Sequence, residues 1–471
     1  MAIKQIINYK SNTHYFAGFL QSIINESGIT GSVSQSGDTI VLKLDDSDEK
    51  ALLEFSKLSH KYLPHSLFLG DVQTLKVDAI SHYAPFTSPT YNIAPCPKCL
   101  ENLTDPASKE YLNDALKCHH YSNTPNEIFL DDKYYSPHYT GGSDLLVVNP
   151  QSIDTLFIMT EDEIKALFSI EKPTLKVTIK DETLKELCGK NFINIKSPMS
   201  VKSNLVALNA RESDIEYLFF QSSDDLKVAV VQKNVTIIRD TRGVSNPLEV
   251  LDSDKVISRF LNISKEASFT NASIGANLST RNGISFLVLN EQGCRKVINF
   301  QPFRVKDVLE GMKNDINKSR LLPNFTQKYP QIMQELSENE NYNMFESVCA
   351  ILELKEKSFE LLSDTALEFH GNGGLKIDTN FSDEGFDYAS FIGSIMSFKL
   401  ANTEEHYLAY SIYEAFADMA IATLTELKTK FKIDNFVMMG DMFENSVLYS
   451  RILSKFNLNN PYFSKGFALD D

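Results

Sequence analysis

The sequence predicts a multidomain chain of mixed α+β and α/β class. Three observations carry that expectation. Residues 2–72 alternate strand and helix patterns in the order β-α-β-β-α-β. A cysteine pair in C-x2-C spacing, followed by a third thiol with two imidazoles beside it, marks a small metal-type module. Beyond it, short apolar strand runs recur between helices, from Asp144–Val148 to Asn435–Met439. At 471 residues there is length for two to four domains, each with its own core.

The first block reads as a split βαβ unit. Residues 2–9 form a strand, and Tyr15 to Glu26 an amphipathic helix ending at Gly28. Two short strands, Gly31–Ser34 and Thr39–Leu44, are joined by Gly37-Asp38. A second helix runs from about Asp48 to Tyr62, opened by Asp48-Glu49 and closed before Pro64. A strand near Ser66–Val72 completes the ferredoxin-like order.

The module that follows carries the most specific chemistry. Cys96 and Cys99 sit on one tight turn, so both sulfurs can face one tetrahedral ion. After eighteen intervening residues come Cys118, His119 and His120, while Tyr121 stands where a fourth Cys would complete the set. The site is therefore three thiolates with one of His119 and His120 as fourth ligand, or a knuckle that packs without metal. Zinc is the metal this donor set suits.

Composition narrows the class. Forty-two per cent apolar and 23% charged residues are ordinary globular usage. A net charge of −16 argues against a phosphate-tracking surface, so no nucleic acid is expected as partner. The N-terminus has no apolar h-region, and no run approaches the ~18 apolar residues of a membrane span. A cytoplasmic location without membrane insertion is the expectation. Cys188, Cys294 and Cys349 read as isolated buried thiols, and His370–Gly374 as a turn. The loop Tyr134–Tyr139 reads as a solvent-facing linker.

The opening block, with Phe16-Ala17-Gly18-Phe19-Leu20 and Gly28–Gln35, resembles the acylphosphatase domain. In that family an Arg cradles the acyl phosphate and an Asn orients water; Ala17 and Gln35 stand at those positions. Joined to the run from Ile93 to Pro106, which follows I-A-x-C-x-x-C-L-x-x-L-x-D-P, the chain resembles the HypF-type hydrogenase-maturation carbamoyltransferases. The resemblance implies an acylphosphatase-like domain over 1–90 and a zinc-finger-like module over 91–140, one where the family has two. It further implies a reduced YrdC-like domain over 141–250 and a TsaD-like domain of the actin/hexokinase type over 251–471, truncated at its C-terminus.

The later matches depart from the family where chemistry is done. Met159–Val177 resembles the YrdC-like helix, its turn and the next strand, and Ile237–Pro247 the closing arginine strand. The basic K-x-R stretch expected before Leu145 is absent, and Arg239 and Arg242 read as surface ion-pair residues. Asn341–Ala350 stands where an H-x3-H helix binds metal, and it contains no His. Two imidazoles four apart share a helix face; Asn, Tyr and Phe offer no such pair. Gly440-Asp441-Met442-Phe443-Glu444-Asn445 stands where the family has S-G-G-V-F-x-N. Gly440, Phe443 and Asn445 persist there, Gly440 and Asn445 as a remnant nucleotide turn. Asp441 replaces the second Gly and brings a carboxylate to a phosphate turn, so ATP is not expected. One of Asp470 and Asp471 stands near the family's metal-binding Asp.

The expectation is a chain with no catalytic residues, a scaffold or binding protein for maturation or assembly of nickel–iron hydrogenase. Accessory proteins encoded with quinone-reactive nickel–iron hydrogenases are the closest kind. Its partners are then maturation proteins or a hydrogenase subunit precursor. The alternatives are an active carbamoyltransferase, using carbamoyl phosphate and ATP to supply the cyanide ligand, and an RNA-related YrdC/TsaD-like module.

Overall fold

A computed structural model describes residues 2–78, 91, 93–118, 135–221, 226–315, 318–382 and 385–470. They form two compact units, one of residues 1–247 with 465–469, the other of 248–464 with Asp470.

The first unit opens with β1 (Ala2–Tyr9), α1 (Tyr15–Ser27), β2 (Gly31–Ser36), β3 (Thr39–Asp45), α2 (Glu49–Tyr62) and β4 (Leu69–Val77). The sheet order is β2-β3-β1-β4 with every pair antiparallel, the split βαβ arrangement. Gly28 ends α1 in the left-handed region, at φ +70°. Asp48 caps α2, its carboxylate accepting from the Lys50 and Ala51 amides. The last strand differs from the sequence reading: it starts at Leu69, not Ser66. The Ser66 carbonyl accepts from Leu69 N in a turn, and its hydroxyl is drawn away to Glu171.

Next come α3 (Pro97–Thr104) and a seven-stranded mixed sheet. Its strands are β5 (Asp144–Val147), β6 (Phe157–Ile158), β7 (Thr174–Ile179), β8 (Phe192–Lys196), β9 (Tyr217–Phe220), β10 (Leu226–Val231) and β11 (Asn234–Asp240). The order is β11-β10-β7-β8-β5-β9, with β6 beside β7. The helices between them are α4 (Ile153–Leu156), α5 (Glu161–Leu167), α6 (Glu182–Cys188) and α7 (Val201–Glu212). Thr160 and Glu163 close α5 with reciprocal cap bonds. The larger apolar core of this unit runs from Phe16 and Phe19 through Leu103 to Leu145 and Ile195, and a smaller cluster holds Leu146, Val148, Ala207 and Phe220. In the loop at 135–139, Pro137 and His138 are exposed, while Ser136 pairs with Phe219 and the Tyr139 ring packs edge-on to the Phe219 ring; Tyr134 lies outside the described residues.

The second unit holds a five-stranded sheet of order β14-β13-β12-β17-β18. It begins with α8 (Lys255–Glu266), β12 (Ser273–Leu278), β13 (Ile284–Asn290) and β14 (Gly293–Asn299). Helices α9 (Val305–Asn314), α10 (Leu321–Lys328), α11 (Pro330–Glu338), α12 (Met344–Ile351) and α13 (Phe359–Leu367) follow. A two-stranded ribbon, β15 (Phe381–Ser382) and β16 (Gly385–Phe386), precedes α14 (Tyr388–Leu400) and the long α15 (Glu405–Phe431). The unit ends with β17 (Phe436–Met439), α16 (Ser446–Lys455) and β18 (Tyr462–Phe463). Strand β12 pairs antiparallel with β13 and parallel with β17, which places the turns after β12 and β17 side by side. Among the described residues, no helix is long and apolar enough to cross a membrane.

Candidate functional site

The three cysteines converge. Cys96 sits in extended backbone as the N-cap of α3, Pro97 supplies the first helical position, and Cys99 lies one turn in. Between Leu103 and Cys118 the chain folds back, with Leu112 N on Leu103 O and Leu116 N on Asn113 O. The sulfurs of Cys96, Cys99 and Cys118 lie within 4.8 Å of one another, and all three residues are buried. Cys99 N donates to Cys96 Sγ at 3.4 Å. With three thiols in one buried spot, hydrogen bonding to Cys118 and Cys99, then burial, push the Cys96 thiol far above the usual range. A divalent cation removes that conflict by taking the sulfurs as thiolates. The donor set therefore fits zinc, with Cys96, Cys99 and Cys118 as the residues that would hold it. His119 and His120 lie outside the described residues, as does His82.

The amides of the loop between β1 and α1 are each taken by a different oxygen of the chain. Asn12 N donates to Asn246 Oδ1 at 2.7 Å, Thr13 N to Ser11 Oγ at 3.1 Å and His14 N to the Tyr91 hydroxyl at 2.8 Å. Ala17 is fully buried in α1. Gln35 turns its amide onto the Ser11 and Thr13 carbonyls, at 2.9 and 3.1 Å, and so braces the loop.

Behind that loop lies Glu171, a residue the sequence reading did not single out. Its carboxylate is fully buried and accepts from Tyr15 Oη and Ser66 Oγ, both at 2.5 Å, and from Leu67 N at 3.0 Å. Burial first, then the Glu171 charge, raises the Tyr15 and Tyr9 hydroxyls well above the ordinary tyrosine range. Arg242 is half-buried, and Arg239 is buried, so neither is the surface ion-pair residue expected. Arg242 Nη1 donates to the Glu171 carbonyl at 2.7 Å, tying the end of β11 to the turn before β7. Desolvation brings its pKa down to about 10.

In the second unit, Gly440 follows β17 at φ +112°, packed so close to β12 that a Cβ would lie 2.1 Å from Leu278 O. Asn445 is buried and caps α16, its Oδ1 accepting from the Val447 and Leu448 amides. Its Nδ2 donates to Ser363 Oγ at 2.8 Å. The Asp441 carboxylate accepts from Thr280 N at 2.7 Å and Thr280 Oγ1 at 2.6 Å. Asp470 accepts from Ser279 Oγ, from Asn282 Nδ2 at 2.6 Å and from Asp441 N at 3.1 Å. Helix α12 begins with Asn343 as its cap and places Met344 and Phe345 against a cavity of about 280 Å³, which Ser279, Thr280, Phe300 and Tyr388 also line. Thr280 and Asp470 were separated from Asp441 by too much chain for any local pattern to join them.

No family model matches the chain. HydE of Wolinella succinogenes is 23% identical over 342 residues, covering 64% of this chain and 61% of that protein. The chain thus spans less than two thirds of that relative's length. A full-length HypF, solved in a phosphate- and nucleotide-bound form, aligns at TM-score 0.57 and 12% identity over 100% of this chain and 96% of its own. HypF of T. kodakarensis aligns at TM-score 0.61 and 12% identity, over 99% and 97%. The chain has a HypF-like mixed α and β fold over its whole length.

Proposed function

We propose that this chain is an enzymatically silent relative of the HypF carbamoyltransferases, acting as an accessory binding protein in nickel–iron hydrogenase maturation. In this reading the four-stranded sheet is acylphosphatase-like, the Cys96–Cys118 segment is a zinc-finger-like module and the seven-stranded sheet is a reduced YrdC-like domain. The second unit is TsaD-like. Its partners are maturation proteins or a hydrogenase subunit precursor.

The observation that carries the proposal is a HypF-like fold over the whole chain in which amides of the loop after β1 and of the turn after β12 are spent on the chain's own oxygens. Electrostatic catalysis needs preorganised donors facing the reacting group. Here the amides of Asn12 and Thr280 face the chain's own oxygens instead. The 23% sequence identity to HydE supports the same reading.

A tagged pull-down from cells making nickel–iron hydrogenase, read by mass spectrometry, tests the role. Recovery of hydrogenase subunits or maturation proteins is the expected result, and a bait free of both overturns it. Turnover of ATP to AMP stimulated by carbamoyl phosphate would instead establish an active carbamoyltransferase.

A further inference from the structure

The cavity against α12 has an apolar wall and almost no polar group to spare. Its wall is made by Ile284 of β13, Phe300 and Phe303 after β14, Met344 and Phe345 of α12, and Tyr388 of α14. The polar side chains beside them are spent inside the protein. Ser279 Oγ donates to Asp470, and Thr280 Oγ1 to Asp441. Tyr388 Oη donates to the Gln301 carbonyl at 2.7 Å. Gln301 uses both ends of its side-chain amide on the Phe386 backbone, at 2.8 and 3.1 Å. Asn343 Oδ1 accepts from Glu346 N at 3.0 Å. No charged residue lines the cavity. Ring contacts brace the wall: Phe300 stacks on Phe386 with centroids 4.3 Å apart, and Phe303 meets Tyr388 edge-on at 5.1 Å. Gly283, Pro302 and Asn343 line the cavity and are exposed, so it opens to solvent on their side.

We infer that this cavity takes one apolar side chain, aromatic in the best case, carried by a partner polypeptide. An apolar cavity of about 150 Å³ already holds a benzene ring. At about 280 Å³ this one accommodates a group of one or two rings and nothing much larger. A free small molecule is normally oriented by a few placed polar groups in its pocket. Here those groups are committed elsewhere. A side chain is oriented by its own backbone instead, as an anchor residue is when it enters an apolar pocket at an interface. Arg304 is exposed and follows Phe303 directly, which puts a positive charge on that side of the rim. Acidic residues beside the anchor complement it. The identity of the partner rests on the accessory-binding reading; the apolar selectivity of the cavity does not.

The chain contains no Trp, so an indole probe can be followed by its own emission in the full-length protein. The probes are N-acetyl-tryptophanamide, the end-blocked peptide Gly-Asp-Trp-Asp-Gly, and the same peptide with Ala in place of Trp. Saturable binding of the Trp peptide with blue-shifted emission is expected, and no binding of the Ala peptide. Met344→Phe, which fills the cavity, and Phe303→Asp, which charges its rim, should each weaken binding at least about ten-fold. Phe303→Leu should keep it within about three-fold. The peptide should bind more tightly than N-acetyl-tryptophanamide at low salt, and Arg304→Ala should remove that advantage. Thermal melts confirm that each variant is folded. Absent binding of both Trp probes, or equal binding of the Trp and Ala peptides, overturns the inference. So does undiminished binding in Met344→Phe and Phe303→Asp, which places the probe elsewhere. Equal affinity for the peptide and the amide overturns the polypeptide occupant. The pull-down decides the accessory role separately: an empty pull-down with a peptide-binding cavity removes that reading alone.

Discussion

The Tyr15 hydroxyl donates to the Glu171 carboxylate at 2.5 Å, joining the first turn of α1 to the turn that leads into β7, 156 residues away. Ser66 Oγ and Leu67 N complete the coordination from the chain before β4. Three donors from the four-stranded-sheet region thus converge on one buried carboxylate beside the seven-stranded sheet. A buried carboxylate held this way fixes register between the two sheets, because no other placement satisfies it. Glu171→Ala is expected to destabilise the first unit by about 4 kcal/mol, since it strands several buried donors at once. Tyr15→Phe removes one bond to a charged group and should cost about 2 kcal/mol. Urea unfolding of the single and double variants checks this. Additive effects from Tyr15→Phe and Glu171→Ala would remove the idea of a shared network.

Lys172, next to Glu171, predicts a pH dependence. Burial lowers its pKa from 10.5 to about 8, partly offset by the Glu171 charge. Its ammonium donates to the Phe168 carbonyl at 3.2 Å. Between pH 8 and 10.5 the unfolded chain holds a proton that the folded chain has released, so this group makes stability rise with pH across that window. Relative to Lys172→Met, the wild-type chain should gain roughly 2–3 kcal/mol from pH 7.5 to 10.5. The difference between the two proteins isolates Lys172 from the buried tyrosines and thiols, which act in the opposite direction at high pH. A flat difference curve counts against the assignment.

What was legible in the sequence was local. The caps at Asp48 and Gly28, the C-x2-C turn and the strand–helix order of residues 2–62 all follow from contacts within a few residues. The start of β4 was not legible, because Ser66 is governed by Glu171, 105 residues on. Glu171 itself lies in a Glu-Lys-Pro turn, and only the folded chain shows its burial. Asp441 was readable as an acidic replacement in a glycine turn, yet its partner Thr280 is 161 residues away. Arg242 gave the same difficulty: its guanidinium answers backbone carbonyls at Glu171 and Lys172, which carry no sequence signal.

The cysteine cluster predicts bound metal that supports folding. Cys99 and Cys118 belong to the same apolar core as Leu103 and Ile170, so an ion held there braces the first unit. One zinc per chain is the expected stoichiometry by metal analysis. Cys99→Ser and Cys118→Ala should each reduce it well below one and lower the melting temperature by at least about 5 °C. His119→Ala and His120→Ala identify the fourth ligand, since only one of the two should release the metal. Cobalt substitution supplies an independent readout through the thiolate charge-transfer absorption. Purified wild-type protein with well under one zinc per chain, and no response to chelator, would end the metal assignment.

Gly440 provides a separate test for the second unit. Its backbone, at φ +112° and ψ 154°, lies in a region that residues with a Cβ essentially never adopt. A Cβ there would also meet the Leu278 carbonyl carbon at 2.3 Å and its oxygen at 2.1 Å, and neither atom can move without disturbing β12. Strain and overlap together should make Gly440→Ala cost about 3 kcal/mol or more. Gly373 is the internal control. It too has a positive φ, +87°, but a Cβ there meets nothing within 4 Å, so Gly373→Ala should cost only about 1 kcal/mol. Both glycines lie in the second unit, so the size of the loss on chemical denaturation distinguishes the two variants. Equal losses at the two glycines would show that backbone conformation alone, and not the seating of the Asp441 turn against β12, sets the requirement at Gly440.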